Sequence, residues 1–220
     1  MPLFRNSARL FIVIICVCAF SAGFSQVSVF LFAGPQTVRA RYKIDGQLQT
    51  SDFKAGLQAG VSAKIPFDTK LYFAPSIYYS LKGYRVSFSR PSNPPDPTAV
   101  SNNTVVHTLE FAPLLQVDFS DRPRHFFLRF GPSLDFQLYG QEKYKLANGS
   151  TISQKMPYGF THYGRYAASG ILHAGIESKR TVLYLQYTQG LTNLDNTEGG
   201  PSILYRAVGI TIGKLISCHK

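Results

Sequence analysis

The sequence contains no tryptophan and only three cysteines, two of which, Cys16 and Cys18, lie in an apolar segment near the N-terminus. Once that segment is set aside Cys218 stands alone, and a disulfide framework within one chain is excluded. Long apolar runs are missing too. A transmembrane helix needs about 20 consecutive apolar residues, whereas the N-terminal run covers only 10–20 and nothing else approaches it. Acidic residues are scarce, 12 Asp and Glu against 23 Lys and Arg, a formal net charge of +11. The cations are scattered and carry no nucleic-acid-binding signature, so nucleic acid is not an expected partner. No two histidines share ligand spacing on one strand, so neither a metal site nor a cofactor is expected.

What the N-terminus does hold is an export signal. Arg5 and Arg9 precede the apolar run, and the small residues Ser21, Ala22, Gly23 and Ser25 follow it. Residues 1–25 therefore read as a cleaved signal peptide, and the residues before Cys16 and Cys18 lack the small side chains of a lipoprotein cleavage box. About 195 residues remain, with 21 basic and 12 acidic side chains and a net charge of +9. That length suits one domain with a core.

Beyond the leader the dominant signal is alternation with a period of two. In 53–67, Phe53, Ala55, Leu57, Ala59, Val61, Ala63, Ile65 and Phe67 share one face, opposed by Lys54, Gln58, Ser62 and Lys64. In 105–119, Leu109, Phe111, Leu115, Val117 and Phe119 oppose Thr108, Glu110, Gln116 and Asp118. In 125–139, Phe126, Leu128, Phe130, Leu134, Phe136 and Leu138 oppose Arg129, Ser133, Asp135 and Gln137. Weaker instances at 27–34, 70–82, 163–177, 181–191 and 203–216 bring the expected strands to eight. Most are longer than the roughly five or six residues of globular sheets and reach the roughly 9 to 11 that cross a membrane at a tilt.

The connections alternate in length, about 18 residues, then 4, 22, 5, 23, 3 and 11. Long and short ones must lie at opposite ends. Outer-membrane barrels have short periplasmic turns, longer outer loops and an even strand number, which places both termini in the periplasm. In hydrocarbon every backbone polar group needs an internal partner, so a sheet spans only when closed, with apolar side chains outward. The expectation is thus an all-β fold, an eight-stranded antiparallel up-and-down transmembrane barrel over 26–216, with 217–220 as a tail. Lys54, Lys64 and Arg129 are expected to meet Glu110, Asp118, Asp135 and Glu177 inside it. Phe53, Phe67, Phe119, Phe126, Tyr139 and Tyr184 are expected in the interfacial girdles. Pro75, Pro113 and Pro132, at one height in neighbouring strands, predict bulges.

Within these strands the runs Phe130-Gly131-Pro132-Ser133-Leu134 with Phe136, and Tyr187-Thr188-Gln189-Gly190-Leu191-Thr192-Asn193-Leu194, resemble the PorT-like outer-membrane β-barrel domain family of the Bacteroidota. The resemblance covers about 26–216. It implies an eight-stranded barrel in the outer membrane of a Gram-negative cell; some relatives are linked to gliding and protein secretion, while most have no assigned activity. The chain departs from a common barrel ending, because 215–220 lacks a terminal aromatic.

Candidate chemistry is sparse, and no catalytic residue is expected. An eight-stranded interior is just wide enough for its own side chains, so a pore is not expected. A lipid-modifying barrel enzyme is the alternative. It would use His107, at the start of the fourth strand and on the lipid-facing parity, with Ser101 in the loop before it; Glu110 lies on the opposite face. A soluble lipocalin-like carrier, with apolar side chains lining a cavity, is the second alternative. His173 shares an inward parity with Arg165, Ser169 and Glu177, which suggests a lumen hydrogen-bond network. Asn102-Asn103-Thr104 and Asn148-Gly149-Ser150 fit a glycosylation triplet but are chance matches in a bacterial chain. On the loop side Arg39, Arg41, Lys43, Lys82, Arg85, Arg90, Lys143, Lys145 and Lys155 outnumber Asp45, Asp52, Asp96, Glu142, Asp195 and Glu198 by three. Such cations suit the phosphates of an anionic glycolipid. The expected partners are therefore outer-membrane lipids and proteins met through the loops or turns.

Overall fold

The computed structural model describes residues 27–89 and 96–218; the signal segment and Arg90 lie outside them. Eight long strands form the wall: β1 (Ser28–Ile44), β4 (Lys54–Pro66), β5 (Leu71–Ser87), β6 (Ala99–Asp118), β7 (Arg124–Leu146), β9 (Tyr166–Ser178), β10 (Thr181–Gly190) and β11 (Ser202–Cys218). Three short ones, β2 (Gln47–Leu48), β3 (Thr50–Asp52) and β8 (Thr151–Lys155), pair on β1, β5 and β7. Each long strand runs antiparallel to the next, and β11 returns to β1 from Ser28↔Cys218 to Lys43↔Ser202. The ring of eight is closed, so the wall itself has no terminal edge strand; only the short β2, β3 and β8 keep a free side among the described residues.

The expected faces hold through the lower barrel. Leu57, Leu109, Phe111, Leu134, Leu183, Ile210 and Ile212 stand outward and exposed, while Gln58, Glu110, Gln116, Asp118, Arg129 and Asp135 are buried inside. That is the reverse of a lipocalin. Phe53, Phe67, Phe119, Phe126 and Tyr139 are exposed on the outer wall. Tyr184 is not a girdle residue. Its parity on β10 turns it inward, where its ring stacks on His173 at 4.5 Å between centroids.

The strands continue further at the loop end than period-two hydrophobicity predicts. β1 runs to Ile44 rather than 34, β5 to Ser87, β6 begins at Ala99 and β7 reaches Leu146. In these extensions the polarity inverts. Val38, Ala40, Tyr42, Tyr84, Val86, Val106, Ile203 and Tyr205 are buried inside together with Met156 and Leu194 from the connections, whereas Arg39, Arg41, Arg85 and Lys143 face out. A strand segment standing in water buries its apolar side and wets the other. Asp45 and Gly46, both with positive φ (48° and 77°), make the tight turn into β2, as an Asp-Gly pair does in a two-residue hairpin.

The prolines do not produce bulges. Pro75 pairs directly with Pro113, and Pro132 with Gly170, all in unbroken register. The ladder instead lapses between Ser62↔Ser76 and Ile65↔Phe73, and between Phe111↔Leu134 and Leu115↔Phe130, and then resumes in the same register. In an antiparallel pair, alternate residues point their N–H groups to opposite neighbours. Each proline is thus seated where only one neighbouring strand misses a donor, and no extra residue is needed. Register shifts occur instead at Val29/Phe30, Ala99/Ser101 and His107/Thr108.

Inward glycines make room for the aromatic rings of a narrow lumen. Gly60 pairs with both Phe32 and Tyr78, Gly213 with Phe32 and Gly175 with Tyr184. A Cβ on Gly60 would collide with the Tyr78 side chain and the Ile77 carbonyl. Gly60→Val is expected to cost about 1–3 kcal/mol through overpacking, measured as a lower urea midpoint for the folded barrel.

Candidate functional site

The lumen is organised around three buried cations. Lys82 lies at its middle, with Nζ 2.8 Å from Glu110 and 2.8 Å from Asp135. Asp135 also accepts from Ser133 Oγ at 2.6 Å and Ser169 Oγ at 3.2 Å, and Glu110 accepts from Thr108 Oγ1 at 3.1 Å. Nearer the short turns Lys64 bridges Asp118 (2.6 Å) and Glu177 (2.7 Å). Between the two clusters the Arg129 guanidinium donates to Gln116 Oε1 at 3.0 and 2.5 Å and lies over the Phe127 and Tyr184 rings.

Two expected pairings change: Arg129 meets the neutral Gln116 opposite it instead of a carboxylate, and Lys54 also finds neutral acceptors. Lys54 donates to Asn103 Oδ1 (2.6 Å) and the Thr104 carbonyl (2.9 Å) rather than to a carboxylate, because it stands nearer the loop end than any of the four acids. Lys82, counted with the loop cations, is instead the innermost one, since β5 continues past it and keeps its parity with Ser76, Tyr78 and Ser80.

Asp118, His125 and Glu177 offer ligand atoms within 4.8 Å of one another. The Lys64 ammonium already sits on the same two carboxylates. A divalent ion there would have to displace a buried, paired charge, which is costly.

Ser101 and His107 are not brought together. Ser101 lies within β6 rather than in a loop, paired with Ser87 and Lys145. Six residues along a strand separate it from His107 by roughly 20 Å. His107 faces out between Tyr79 and Tyr139, with Nδ1 2.6 Å from the Tyr79 hydroxyl. His173 is inward as expected, stacked on Tyr184 and flanked by Arg129 and Gln186 on the neighbouring strands, with no hydrogen bond to Ser169 or Glu177. Arg165 is exposed, its guanidinium over the Phe136 and Tyr158 rings, because it precedes β9 and escapes that strand's parity.

Sequence reasoning also missed the loop-end closure. Glu142, counted among loop acids, is buried and accepts from Asn102 Nδ2 (3.0 Å), the Tyr144 hydroxyl (2.9 Å) and the Tyr163 hydroxyl (2.8 Å). Burial pushes the Tyr163 hydroxyl well above its ordinary range, and the Glu142 charge adds to the shift. Asp195 is buried too, held by the Thr197 N–H at 2.8 Å. A small cavity of about 60 Å³ remains between these groups. Asn102 continues the inward parity of β6, the signal that would have found it. Glu142 does not continue that of Arg129, Asp135 and Gln137, because the register shift at His107/Thr108 leaves an extra residue in β7 and turns Gly140, Glu142 and Tyr144 inward. Met156 and Leu194 come from connections with no periodicity to read.

Outside, Arg39, Arg41, Lys43, Arg85, Lys143, Lys145 and Lys155 stand exposed or half-exposed, against exposed Asp45, Asp52 and Glu198 and half-exposed Asp96. Removing the buried groups from the loop side leaves its outer surface basic. Arg39 also covers the Phe53 ring at 5.3 Å, at the upper limit of the apolar wall.

No curated protein matches the chain in sequence. Among solved structures it is similar to the attachment invasion locus protein Ail of Yersinia pestis, crystallised with the heparin analogue sucrose octasulfate. The identity is 11% over 87% of this chain and 99% of that one, with a TM-score of 0.46. It is also similar to Neisserial surface protein A (12% identity, 86% and 97% coverage, TM-score 0.43). A third is the outer membrane protein OprG of Pseudomonas aeruginosa (14% identity, 88% and 98% coverage, TM-score 0.42). The outer membrane protein beta-barrel domain family matches residues 19–196, well over half of the sequence, and with its closed eight-stranded wall and apolar exterior the chain belongs to that family.

Proposed function

We propose that this integral outer-membrane barrel is non-conducting and non-enzymatic, and that it works through the surface raised on its loop end. On this reading the short turns and both mature termini are periplasmic and the extended strands stand outside the cell. Support for the orientation comes from the asymmetry of the connections, since outer-membrane barrels keep their short turns inside.

The observation that carries the reading is the filling of the lumen from end to end. Lys64 and Lys82 with their carboxylates, Arg129 with Gln116, and the apolar cluster of Val38, Tyr84, Val106 and Met156 leave no continuous channel among the described residues. The raised strands then have a purpose other than transport. Their outward cations suit the phosphates of anionic glycolipid, and their loops suit a protein partner. Secretion or gliding are the processes that the PorT-like resemblance implies.

In planar bilayers the refolded protein is expected to give no conductance steps. Discrete, reproducible openings from the folded, heat-modifiable form would overturn the reading.

A further inference from the structure

The short-turn end carries a feature that the loop-side proposal does not use. An outward groove of about 420 Å³ is lined by Phe126, Ala174, Ile176, Leu183, Leu185 and Ile210. It exists because Ala174 lies between Leu128 and Leu185 on the neighbouring strands, so one short side chain is walled by large ones. Phe126, Ile176, Leu183 and Ile212 form a row across β7, β9, β10 and β11. The next outward row toward the turns is Arg124, Ser178, Thr181 and Lys214. Lys179 and Arg180 make the turn beneath it. Successive outward rows are about 7 Å apart along a strand, so the cations begin where the groove ends.

Arg124, Lys179, Arg180 and Lys214 are all exposed, and among the described residues none of them is ion-paired. The nearest acids are engaged elsewhere. Glu177 faces inward onto Lys64, and Asp121 is 3.8 Å from Lys70. On the opposite wall the turn between β4 and β5 has a single cation, Lys70, with Asp68 and Asp121 beside it. Positive charge at this end is therefore gathered below the groove instead of being spread around the rim.

We propose that this wall binds one anionic glycerophospholipid, an acyl chain in the groove over Ala174 and the phosphate on Arg124 and Lys214, with the Lys179 and Arg180 turn below. An apolar cleft capped by several unpaired cations meets both halves of such a lipid, and each basic residue near a membrane surface adds to the attraction. Strands lie about 4.8 Å apart, so Arg124 and Lys214 flank a space about 14 Å wide, within reach of two long side chains converging on one head group. The leaflet follows from the orientation proposed above, on which the inference rests: with the turns periplasmic, the lipid belongs to the inner leaflet.

Because the chain has no tryptophan, one can be introduced as the sole reporter. Leu185→Trp places it in the groove and Val61→Trp on the far wall. Each mature protein is reconstituted in phosphatidylcholine bilayers with increasing brominated phosphatidylglycerol, and in the reverse mixture. The groove reporter is expected to show a preference for the anionic lipid of about five-fold or more, and the far-wall reporter about one-fold. Replacing Arg124, Lys179, Arg180 and Lys214 together by Gln should abolish the preference. Ala174→Leu, which fills the groove and leaves the charges, should weaken it. Equal quenching at the two reporters in folded protein would overturn the proposal, as would a preference unchanged by the four Gln substitutions. Orientation is read separately, by labelling Asn148→Cys in a Cys218→Ser background on intact cells with an impermeant maleimide. Failure there, with the lipid preference intact, removes the leaflet assignment and the orientation but leaves the site.

Discussion

Lys82→Met is expected to destabilise the folded barrel by about 3–5 kcal/mol, the cost of breaking a buried ion pair by removing one partner. Met nearly preserves the volume of the stem, so the loss falls on charge. Glu110 and Asp135, each 2.8 Å from the ammonium and almost wholly buried, would face one another without a cation. The diagnostic comparison is the triple variant with Glu110→Gln and Asp135→Asn. Replacing a buried ionic group entirely by neutral ones is often close to neutral, so the triple variant should recover most of the urea midpoint. A triple variant as unstable as Lys82→Met alone would mean that the side chain's shape, not its charge, matters at this point.

The second large effect concerns the other face of the wall. Leu134 stands outward on β7, between Phe126 and Leu138, near the middle of the apolar band. Leu134→Arg is expected to cost about 2–4 kcal/mol, the depth-dependent penalty for a cation at the bilayer midplane. Lys145→Arg, on the exposed extension of the same strand, keeps a cation that already stands in water and should be close to silent. Reversible unfolding in lipid vesicles measures both. A harmless Leu134→Arg would show that this side does not meet hydrocarbon.

How much was legible followed the solvent around each segment. Where the strand crosses hydrocarbon, at 54–66, 108–118 and 125–138, one face must be apolar and the other polar, and the residues alternate cleanly enough to assign both. Above the membrane the rule reverses. Val38, Ala40 and Tyr42 are inward while Arg39, Arg41 and Lys43 are outward, a pattern that is periodic but of opposite sense, so the strands were cut short at about 34, 82 and 139. The Asp45-Gly46 turn was readable as a hairpin signal, but only once strands were expected on both sides of it.

The candidate groups show the same division. Parity placed Arg129, Asp118 and His173 inside, but not their partners, because partners depend on register between strands and no local pattern carries register. Lys82 was misplaced for a sharper reason: a cation at the apparent end of a strand looks like a rim residue until the strand is known to continue. The prolines failed in the other direction. Their shared height was visible, yet their seating at sites that lose a bond to one neighbour only requires the pairing itself.

The reversal of polarity along β1, β5 and β7 also works as a depth gauge. Below it, water is excluded from the outside; above it, from the inside. The barrel therefore has only one vertical position at which both requirements are met. On β7 the outward apolar residues from Phe126 to Leu138 span roughly 30 Å once strand tilt is included, close to the hydrocarbon thickness of a bilayer. Sliding the protein by one pair of residues would wet leucines at one edge and drown lysines or arginines at the other. A chain built this way fixes its own immersion, and holds its loop-end rim at a constant height above the lipid.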